Sequence, residues 1–211
     1  MKFKVIFPLV LVFIFISACS DTHREYYENG KVQSELNYKD GSLNGKAIWY
    51  FENGNKEQEV FYTDNKIDGP MKRWFQDGKL ETESFYKAGV LNGKAITYNE
   101  WGDRIIEENY RHDTLEGEFR QWYNDGAKKI DGQYKQGLFT GRWIYYDDYG
   151  NIVGVGNFEN GSGKQKAWWP NGNLKREIRY INNLKDGEER WFDEKGNTEK
   201  TIFFRQGKAM N

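Results

Sequence analysis

The sequence predicts an all-β protein, an elongated and twisted single-sheet ribbon of about eight tandem β-hairpin repeats of 24 residues, after an N-terminal signal peptide. Three observations support this fold class. Glycines recur every 24 residues, aromatic residues share that period, and no segment after the signal peptide shows a sustained helical period. A repeat period of roughly 20–50 residues is typical of chains whose units stack on their neighbours.

Two glycine series define the unit. They keep one phase along the chain, and only the unit from Arg142 to Gly163 is two residues short. The first series is Gly30, Gly54, Gly78, Gly102, Gly126, Gly150, Gly172 and Gly196. The second is Gly45, Gly69, Gly93, Gly117, Gly141, Gly163 and Gly187. Chance does not produce this regularity, so the repeat decides the fold.

Two aromatic series have the same period and indicate how the units pack. One is Tyr26, Tyr50, Trp74, Tyr98, Trp122, Tyr146, Trp168 and Phe192. The other is Tyr38, Tyr62, Tyr86, Tyr110, Tyr134, Phe158, Tyr180 and Phe204. Residues two apart in a strand share a face, so Ile48 is expected beside Tyr50 and Val60 beside Tyr62. We expect stacked hairpins to lay these rings along one face as an aromatic ladder.

Each unit has the pattern of a β-hairpin. The run Ala47–Phe51 is rich in β-branched and aromatic residues, as strands prefer. Asn53 and Gly54 then favour a tight turn, because both tolerate a positive φ. A second strand is predicted from about Lys56 to Tyr62, and a polar loop ending in Gly69 leads to the next unit. A single hairpin is only marginally stable, so neighbouring units must stabilise each other.

The first residues are typical of an exported protein. Lysines at positions 2 and 4 precede an apolar run from Val5 to Ile16, which is too short for a permanent membrane span. The stretch from Ile16 to Cys19 resembles the bacterial lipobox. This resemblance implies a lipoprotein signal peptide at 1–18, a short tether with a lipidated cysteine at 19–21, and a repeat domain at 22–211. The alternative is an incidental free thiol near an ordinary cleavage site.

Lipidation of Cys19 would make the membrane a partner, reached through the acyl chains. Cys19 is the only cysteine of the chain, so it cannot form an internal disulfide. Ser20, rather than Asp, follows it. By resemblance to the sorting rules of Gram-negative lipoproteins, this indicates a lipid-anchored protein of the cell envelope at the outer membrane, with the leaflet undetermined.

The repeat resembles the bacterial MORN-variant repeat family. The matching pattern is an aromatic residue, a glycine four residues later, a second aromatic eight residues after that, and a loop ending in Leu-x-Gly. The units containing Tyr50 and Trp74 show it, and the resemblance covers nearly all of residues 22–211. Members are often described as YwqK-type antitoxin components of toxin–antitoxin systems, and others are lipoproteins. The family has no shared catalytic residues to transfer to this chain.

The residues themselves predict no enzyme and no cofactor. The two histidines, His23 and His112, lie far apart in the sequence, whereas a metal site usually needs three or four converging ligands. Acidic pairs such as Glu57 and Glu59 recur at one register, which fits a solvated strand face better than a glycosidase pair. The formal net charge is −1, which argues against nucleic acid as a partner.

Four tryptophans outside the aromatic series form the candidate binding surface: Trp49, Trp143, Trp169 and Trp191. Exposed aromatic strips mark binding sites for protein or sugar. The equally weighted alternative is a second small core in which these rings cover each other. We therefore expect a binding or scaffolding module with a protein partner. An antitoxin or immunity protein, and a carbohydrate-binding or carbohydrate-active protein, are the alternatives.

Overall fold

The computed structural model describes residues 20–210, which form one open antiparallel sheet of 18 strands without a helix. Consecutive strands pair along the chain, and the eighth strand pairs with both the short ninth strand and the tenth. The all-β prediction of a single sheet of tandem hairpins is therefore confirmed. The strands are β1 Ser20–Tyr26, β2 Val32–Lys39, β3 Ser42–Tyr50, β4 Lys56–Thr63, β5 Lys66–Trp74, β6 Leu80–Lys87, β7 Val90–Tyr98, β8 Arg104–Arg111, β9 Thr114–Leu115, β10 Gly117–Trp122, β11 Lys128–Lys135, β12 Leu138–Tyr146, β13 Ile152–Glu159, β14 Ser162–Trp168, β15 Leu174–Ile181, β16 Leu184–Phe192, β17 Thr198–Arg205 and β18 Lys208–Met210.

The predicted signal peptide and Cys19 lie outside the described residues. β1 begins at Ser20, and residues 20 and 21 pair with Lys39 and Tyr38 in the sheet, so the predicted tether at 19–21 is wrong for these two residues. In the described part of the chain, no helix is long and apolar enough to cross a membrane.

Two kinds of turn alternate along the sheet. The turn at Gly54 is a five-residue loop, 51–55, in which the Gly54 amide donates to the Phe51 carbonyl at 2.8 Å. The other turn has only two residues, Asp64 and Asn65, with φ of 47° and 63°. Two positive φ values give a turn whose twist matches that of the flanking strands. The polar loop predicted to end in Gly69 is therefore wrong, because β5 already begins at Lys66.

Gly69 instead lies in a bulge inside β5. Val60 pairs with Met71 and Tyr62 with Ile67, so three residues of β5 lie opposite Phe61 alone. Gly69 has a φ of 127°, a conformation that glycine adopts without strain. Four other hairpins contain a bulge of this kind, in which three residues lie opposite one: β2–β3, β6–β7, β11–β12 and β15–β16.

The short unit lacks this bulge. β13 and β14 pair from Gly154 to Glu159 without a register shift, and Gly163 is not among the glycines with positive φ. The turn between β15 and β16 reaches past the short unit to the turn between β11 and β12. The Asn183 Oδ1 accepts a hydrogen bond from the Phe139 amide, and the Asn183 Nδ2 donates to the Gly137 carbonyl, both at 2.8 Å. The two missing residues are therefore those of the bulge.

The two aromatic series lie on opposite faces of the sheet, so the single aromatic ladder is wrong. At the turn, Tyr50 pairs with Lys56 but Trp49 pairs with Gln58, which leaves one extra residue in β4. One extra residue inverts the alternation of the second strand. Tyr62 consequently lies on the face of Trp49, which we call the tyrosine face. Tyr50 lies on the other, which we call the charged face.

A candidate binding groove in the C-terminal units

The structure separates the four candidate tryptophans. Trp143 is buried, with 3% of its surface exposed, whereas Trp49, Trp169 and Trp191 are half-buried. The Trp143 ring packs against those of Phe119 and Phe139, with centroids 5.5 and 4.6 Å away. Trp143 therefore belongs to a small core, which was the alternative to an exposed surface, and its place in the binding surface is wrong.

Glycines make room for this core. An added Cβ at Gly132 would lie 2.3 Å from the Trp143 ring, and one at Gly156 would lie 2.2 Å from the Phe158 ring. The Trp143 Nε1 donates to the Gln133 carbonyl at 3.2 Å, which satisfies the polar atom of the buried indole. The packing fixes the position of β12 against the strands on either side.

Trp49 stands apart from the other candidates in the N-terminal units. It lies between Ser34 of β2 and Gln58 of β4 on the tyrosine face. No aromatic ring of the described residues is recorded in contact with it. It therefore contributes to no shared surface with Trp169 or Trp191.

Trp169 and Trp191 line one groove of about 450 Å³ in the last three units. The Trp169 Nε1 donates to the Phe192 carbonyl at 3.0 Å, which fixes the orientation of the indole. The full lining is Val153, Ala167, Trp168, Trp169, Pro170, Lys175, Arg176 and Trp191. Apolar rings with a few placed polar groups are the usual composition of a ligand site.

Depressions on both sides extend this groove. Trp168 and Trp169 also line a depression of about 470 Å³ that reaches Asp147. On the other side, Trp191 and Arg176 line one of about 530 Å³ that reaches Phe204. The groove shares lining residues with each of these depressions, so the three adjoin one another along the C-terminal strands.

Cations sit beside both indoles of the groove. The Lys175 Nζ lies 4.2 Å from the Trp169 ring centroid, and the Arg176 Cζ lies 4.8 Å from that of Trp191. The Glu189 carboxylate, 3% exposed, accepts from the Arg176 Nε at 2.5 Å and from the Lys185 Nζ at 2.9 Å. This buried carboxylate holds Arg176 in place, so the groove presents a positioned guanidinium beside the Trp191 indole.

The charged face carries one row of directly paired residues across the whole sheet. In chain order the row is Arg24, Glu35, Ile48, Glu59, Lys72, Glu83, Ile96, Glu107, Arg120, Asp131, Ile144, Val155, Lys166, Glu177, Arg190 and Thr201. Acids alternate with cations or isoleucines along most of it. Opposite charges facing each other on neighbouring strands stabilise a sheet.

Glu107 is the most buried acid of this row. Only 2% of its side chain is exposed, and it accepts from Lys94 at 2.8 Å and Arg104 at 2.7 Å, with Arg120 at 3.4 Å. Burial opposes ionisation, but the hydrogen bonds from Lys94 and Arg104 outweigh it and lower the pKa of Glu107. The solvated face expected for the carboxylates is therefore wrong here, because the acids are part of a partly buried ion-pair network.

Trp168, Lys175 and Arg176 of the groove were not among the predicted site residues. Trp168 was assigned to the regular aromatic series, and nothing in the period distinguishes it from its equivalents. The signal was the run Trp168-Trp169-Pro170, which places three apolar residues at one turn. Within residues 20–210, no group of three or more His, Cys, Asp and Glu side chains is arranged to hold a metal ion.

Comparison with known families identifies the repeat. The model of the MORN repeat variant matches residues 22–40, 43–64, 67–88, 162–182 and 185–206, which together make up half of the chain. No curated protein matches the chain significantly. MORN repeats are generally found in binding and scaffold proteins. Residues 89–161, outside these matches, keep the same glycine period and strand pairing. The chain belongs to the MORN repeat variant family.

Proposed function

We propose that this protein is an exported, lipid-anchored binding module of the cell envelope that holds a protein partner in the groove between Trp169 and Trp191. The observation that carries the proposal is the groove itself. Two half-buried indoles line it, each with a cation beside its ring, and a buried carboxylate holds the guanidinium next to Trp191 in place. Scaffold and binding roles are general among MORN repeats, which supports a binding role for this chain.

A protein partner suits the chemistry of this surface. Tryptophan and arginine are the residues that most often dominate binding energy at protein interfaces. Arg176 has its side chain already ordered by Glu189, so binding would cost little further conformational entropy there. The linked depressions favour an extended partner segment over a compact one.

The anchor would be Cys19, lipidated as the lipobox pattern predicts. β1 begins at Ser20, the next residue, so almost no chain would separate the acyl groups from the sheet. More than one acyl chain is needed for stable membrane attachment. We propose the outer membrane as its location. A partner that is a toxin acting in the envelope would make this chain an immunity protein.

A glycan is the second candidate ligand. The specific observation is that three tryptophans, Trp168, Trp169 and Trp191, line one open groove together with lysine and arginine. Indole faces can stack on sugar rings, while the charged groups offer hydrogen-bond donors. The same groove serves both ligand classes, so they must be separated by experiment.

The test is crosslinking in intact cells followed by purification of the tagged full chain. Four forms are compared: wild type, Trp169→Ala, Trp191→Ala and Trp49→Ala. Trp49 is a matched control, because it occupies the same position of its unit as Trp191 but lies outside the groove. We expect one dominant protein partner with wild type and the control, reduced at least tenfold in both groove variants.

Other outcomes refute parts of the proposal. A partner retained equally by all four forms would show that the groove is not the binding site. No enriched protein, together with glycan-array binding that depends on Trp169, would replace the protein partner by a glycan. The Cys19→Ala variant tests the anchor separately, because it should leave the membrane fraction while keeping the partner.

A further inference from the structure

The charged face of the last units carries more cations than acids. Strands β14, β15 and β16 place five cations but only two acids there: Lys164, Lys166, Lys175, Arg179 and Arg190, against Glu177 and Glu188. Glu177 binds three of these cations, at 3.1, 3.2 and 3.3 Å. Among residues 20–210, no carboxylate lies within ion-pair distance of Lys175 or Arg179. These two cations are therefore available to an acid from outside the chain.

The N-terminal units have no such excess at the same register. When the units are aligned by their glycines, the positions equivalent to three of the basic residues carry no positive charge: Glu81 for Lys175, Phe85 for Arg179 and Pro70 for Lys164. The strand pairing around these positions is otherwise the same in both regions. The repeat therefore does not require the cations for its folding, and they need a separate explanation.

Two of these cations oppose each other directly. Lys164 of β14 pairs with Arg179 of β15, and both side chains are exposed. Like charges directly opposite on neighbouring strands destabilise a sheet, whereas most of the row beside them places opposite charges together. A carboxylate bound between Lys164 and Arg179 would remove this repulsion. Residues that break a local rule of stability in this way are typical of functional surfaces.

Lys175 connects the excess of cations to the groove. It lines the groove, and its Nζ lies 4.2 Å from the Trp169 ring centroid, so the side chain is ordered without an acid. Arg179 follows on the same strand and the same face, four residues further along β15. A strand rises ~3.3 Å per residue, which places the two positions about 13 Å apart. A cationic path therefore leads out of the groove along β15.

We propose that the partner held in the groove is acidic, and that its bound segment runs extended along β15. One carboxylate of the segment meets Lys175, and a second, four residues away, meets Arg179 and Lys164. This inference rests on the proposed function, because the segment starts in the groove. Glu177 lies midway between Lys175 and Arg179. The residue midway between the two acids of the partner must therefore not be acidic.

An extended peptide matches the spacing of these cations. It has the same rise per residue as β15, and its alternate side chains point the same way, so acids four residues apart lie about 13 Å apart on one side. The guanidinium of Arg179 can bind a carboxylate through two parallel hydrogen bonds. This match of spacing favours an acidic protein segment over an acidic glycan.

Fluorescence anisotropy with labelled peptides tests the proposal on the full chain in detergent. The probe is Leu-Ser-Leu-Ser-Glu-Ser-Ser-Ser-Glu, whose apolar end suits the groove and whose acids are four residues apart. The control peptide, Leu-Ser-Leu-Ser-Ser-Ser-Ser-Glu-Glu, has the same composition with adjacent acids. We expect the probe to bind wild type about tenfold more tightly than the control peptide, because only its acids reach both cations.

Charge reversal identifies the cations that bind the probe. Arg179→Glu and Lys175→Glu should each raise its Kd about tenfold, while Arg179→Lys should retain most of the affinity. Lys46→Glu, an equal charge change at an exposed position of the same face in the N-terminal units, should have no effect. Arg179→Glu also removes the repulsion with Lys164, so its Tm should not fall, and weaker binding cannot be ascribed to unfolding.

Three results would overturn the proposal. Probe binding that depends on Trp169 but not on Arg179 would leave the groove as a binding site and exclude the acidic partner. Binding of an oligouronate through Arg179, without binding of the peptide, would replace the acidic protein by an acidic glycan. No binding of the probe at about 1 mM, where contacts of only ~4 kcal/mol are detectable, would exclude the acidic segment. The crosslinking experiment with the tryptophan variants still tests the groove independently in each case.

Discussion

The N-terminal units, residues 20–111, and the C-terminal units, residues 117–206, use one strand register to build different cores. On the tyrosine face, Ala47 pairs with Val60 in the N-terminal units. At the equivalent pair of the C-terminal units, Trp143 faces Gly156. A large side chain on one strand is matched by a glycine on the next. The equivalent pair therefore carries two aliphatic side chains in one region and a single large ring over a glycine in the other.

Ring contacts follow the same division. In the described residues, all contacts between aromatic rings fall within residues 119–180, except that of His23 with Tyr38. In the N-terminal units, Tyr62 pairs with Ile67 and Tyr86 with Leu91, so aromatic residues face aliphatic ones. Identical periodicity thus gives an aliphatic core at one end and an aromatic core at the other.

The largest expected effect concerns Trp143. Trp143→Ala should lower the free energy of unfolding by about 4 kcal/mol, because it empties the centre of the aromatic core. Val60→Ala, at a fully buried position of the N-terminal core, should cost about 2 kcal/mol. Equilibrium unfolding of both variants in guanidinium chloride measures the difference. Equal losses would mean that the two cores contribute alike.

The next effect tests the volume match. Gly132→Ala should destabilise the protein by about 3 kcal/mol, because its Cβ would lie 2.3 Å from the Trp143 ring. Trp143→Leu should reduce that penalty, since the smaller side chain leaves room for the methyl group. A double-mutant cycle from the same unfolding measurement gives the coupling. Strict additivity would show that the two residues do not compete for space.

On the charged face, in contrast, we expect equivalent substitutions in the N-terminal and C-terminal units to cost the same stability. Glu107 and Glu177 each bind three cations, and burial in both is outweighed by hydrogen bonds that lower their pKa values. A carboxylate whose pKa is lower in the folded than in the unfolded chain stabilises the fold above the unfolded pKa of about 4.3. This contribution to stability is lost as the pH falls through the folded pKa. Glu107→Gln and Glu177→Gln should each cost about 2 kcal/mol at pH 7 and reduce acid sensitivity. Denaturant unfolding from pH 7 to pH 3 checks this, and a variant with the wild-type pH profile would refute it.

The smallest effect concerns the partly exposed cations of the row. Lys72 forms an ion pair with Glu83 at 2.9 Å, and Lys166 at the equivalent position forms one with Glu177 at 3.3 Å. Either Lys→Ala change should cost less than about 1 kcal/mol, because solvent screens these pairs. Thermal melts at low and high salt would detect a larger, salt-dependent loss, which would contradict this estimate.

The glycine period predicted the fold, but it did not predict on which face of the sheet each side chain lies. Gly54 correctly marked a turn, and the strand Lys56–Thr63 agrees with the prediction, whereas Gly69 lies in a bulge inside β5 and not at the end of a loop. The error lay at one residue: the extra residue in β4 moves Tyr62 to the face opposite Tyr50. A single inserted residue leaves the period unchanged, so the period carries no signal for it.

The site was only partly predictable for a related reason. Trp169 and Trp191 were recognised because they depart from the aromatic series, and they do share a groove. Trp143 departs from it equally but is buried. Its burial depends on Gly132, a residue eleven positions earlier on the neighbouring strand, and side-chain volume across strands is not visible in a one-dimensional pattern.

The two-residue loss in the short unit shows which length changes this chain can absorb. Strand side chains alternate with a period of two, so removing an even number of residues leaves every later side chain on its original face. Phe158 and Tyr180 accordingly remain in contact across β14, with centroids 5.6 Å apart. Loss of one residue there would move every side chain of the last two units to the opposite face of the sheet. Evolutionary insertions and deletions within the strands of this protein should therefore come in pairs, as the loss of the β14 bulge does.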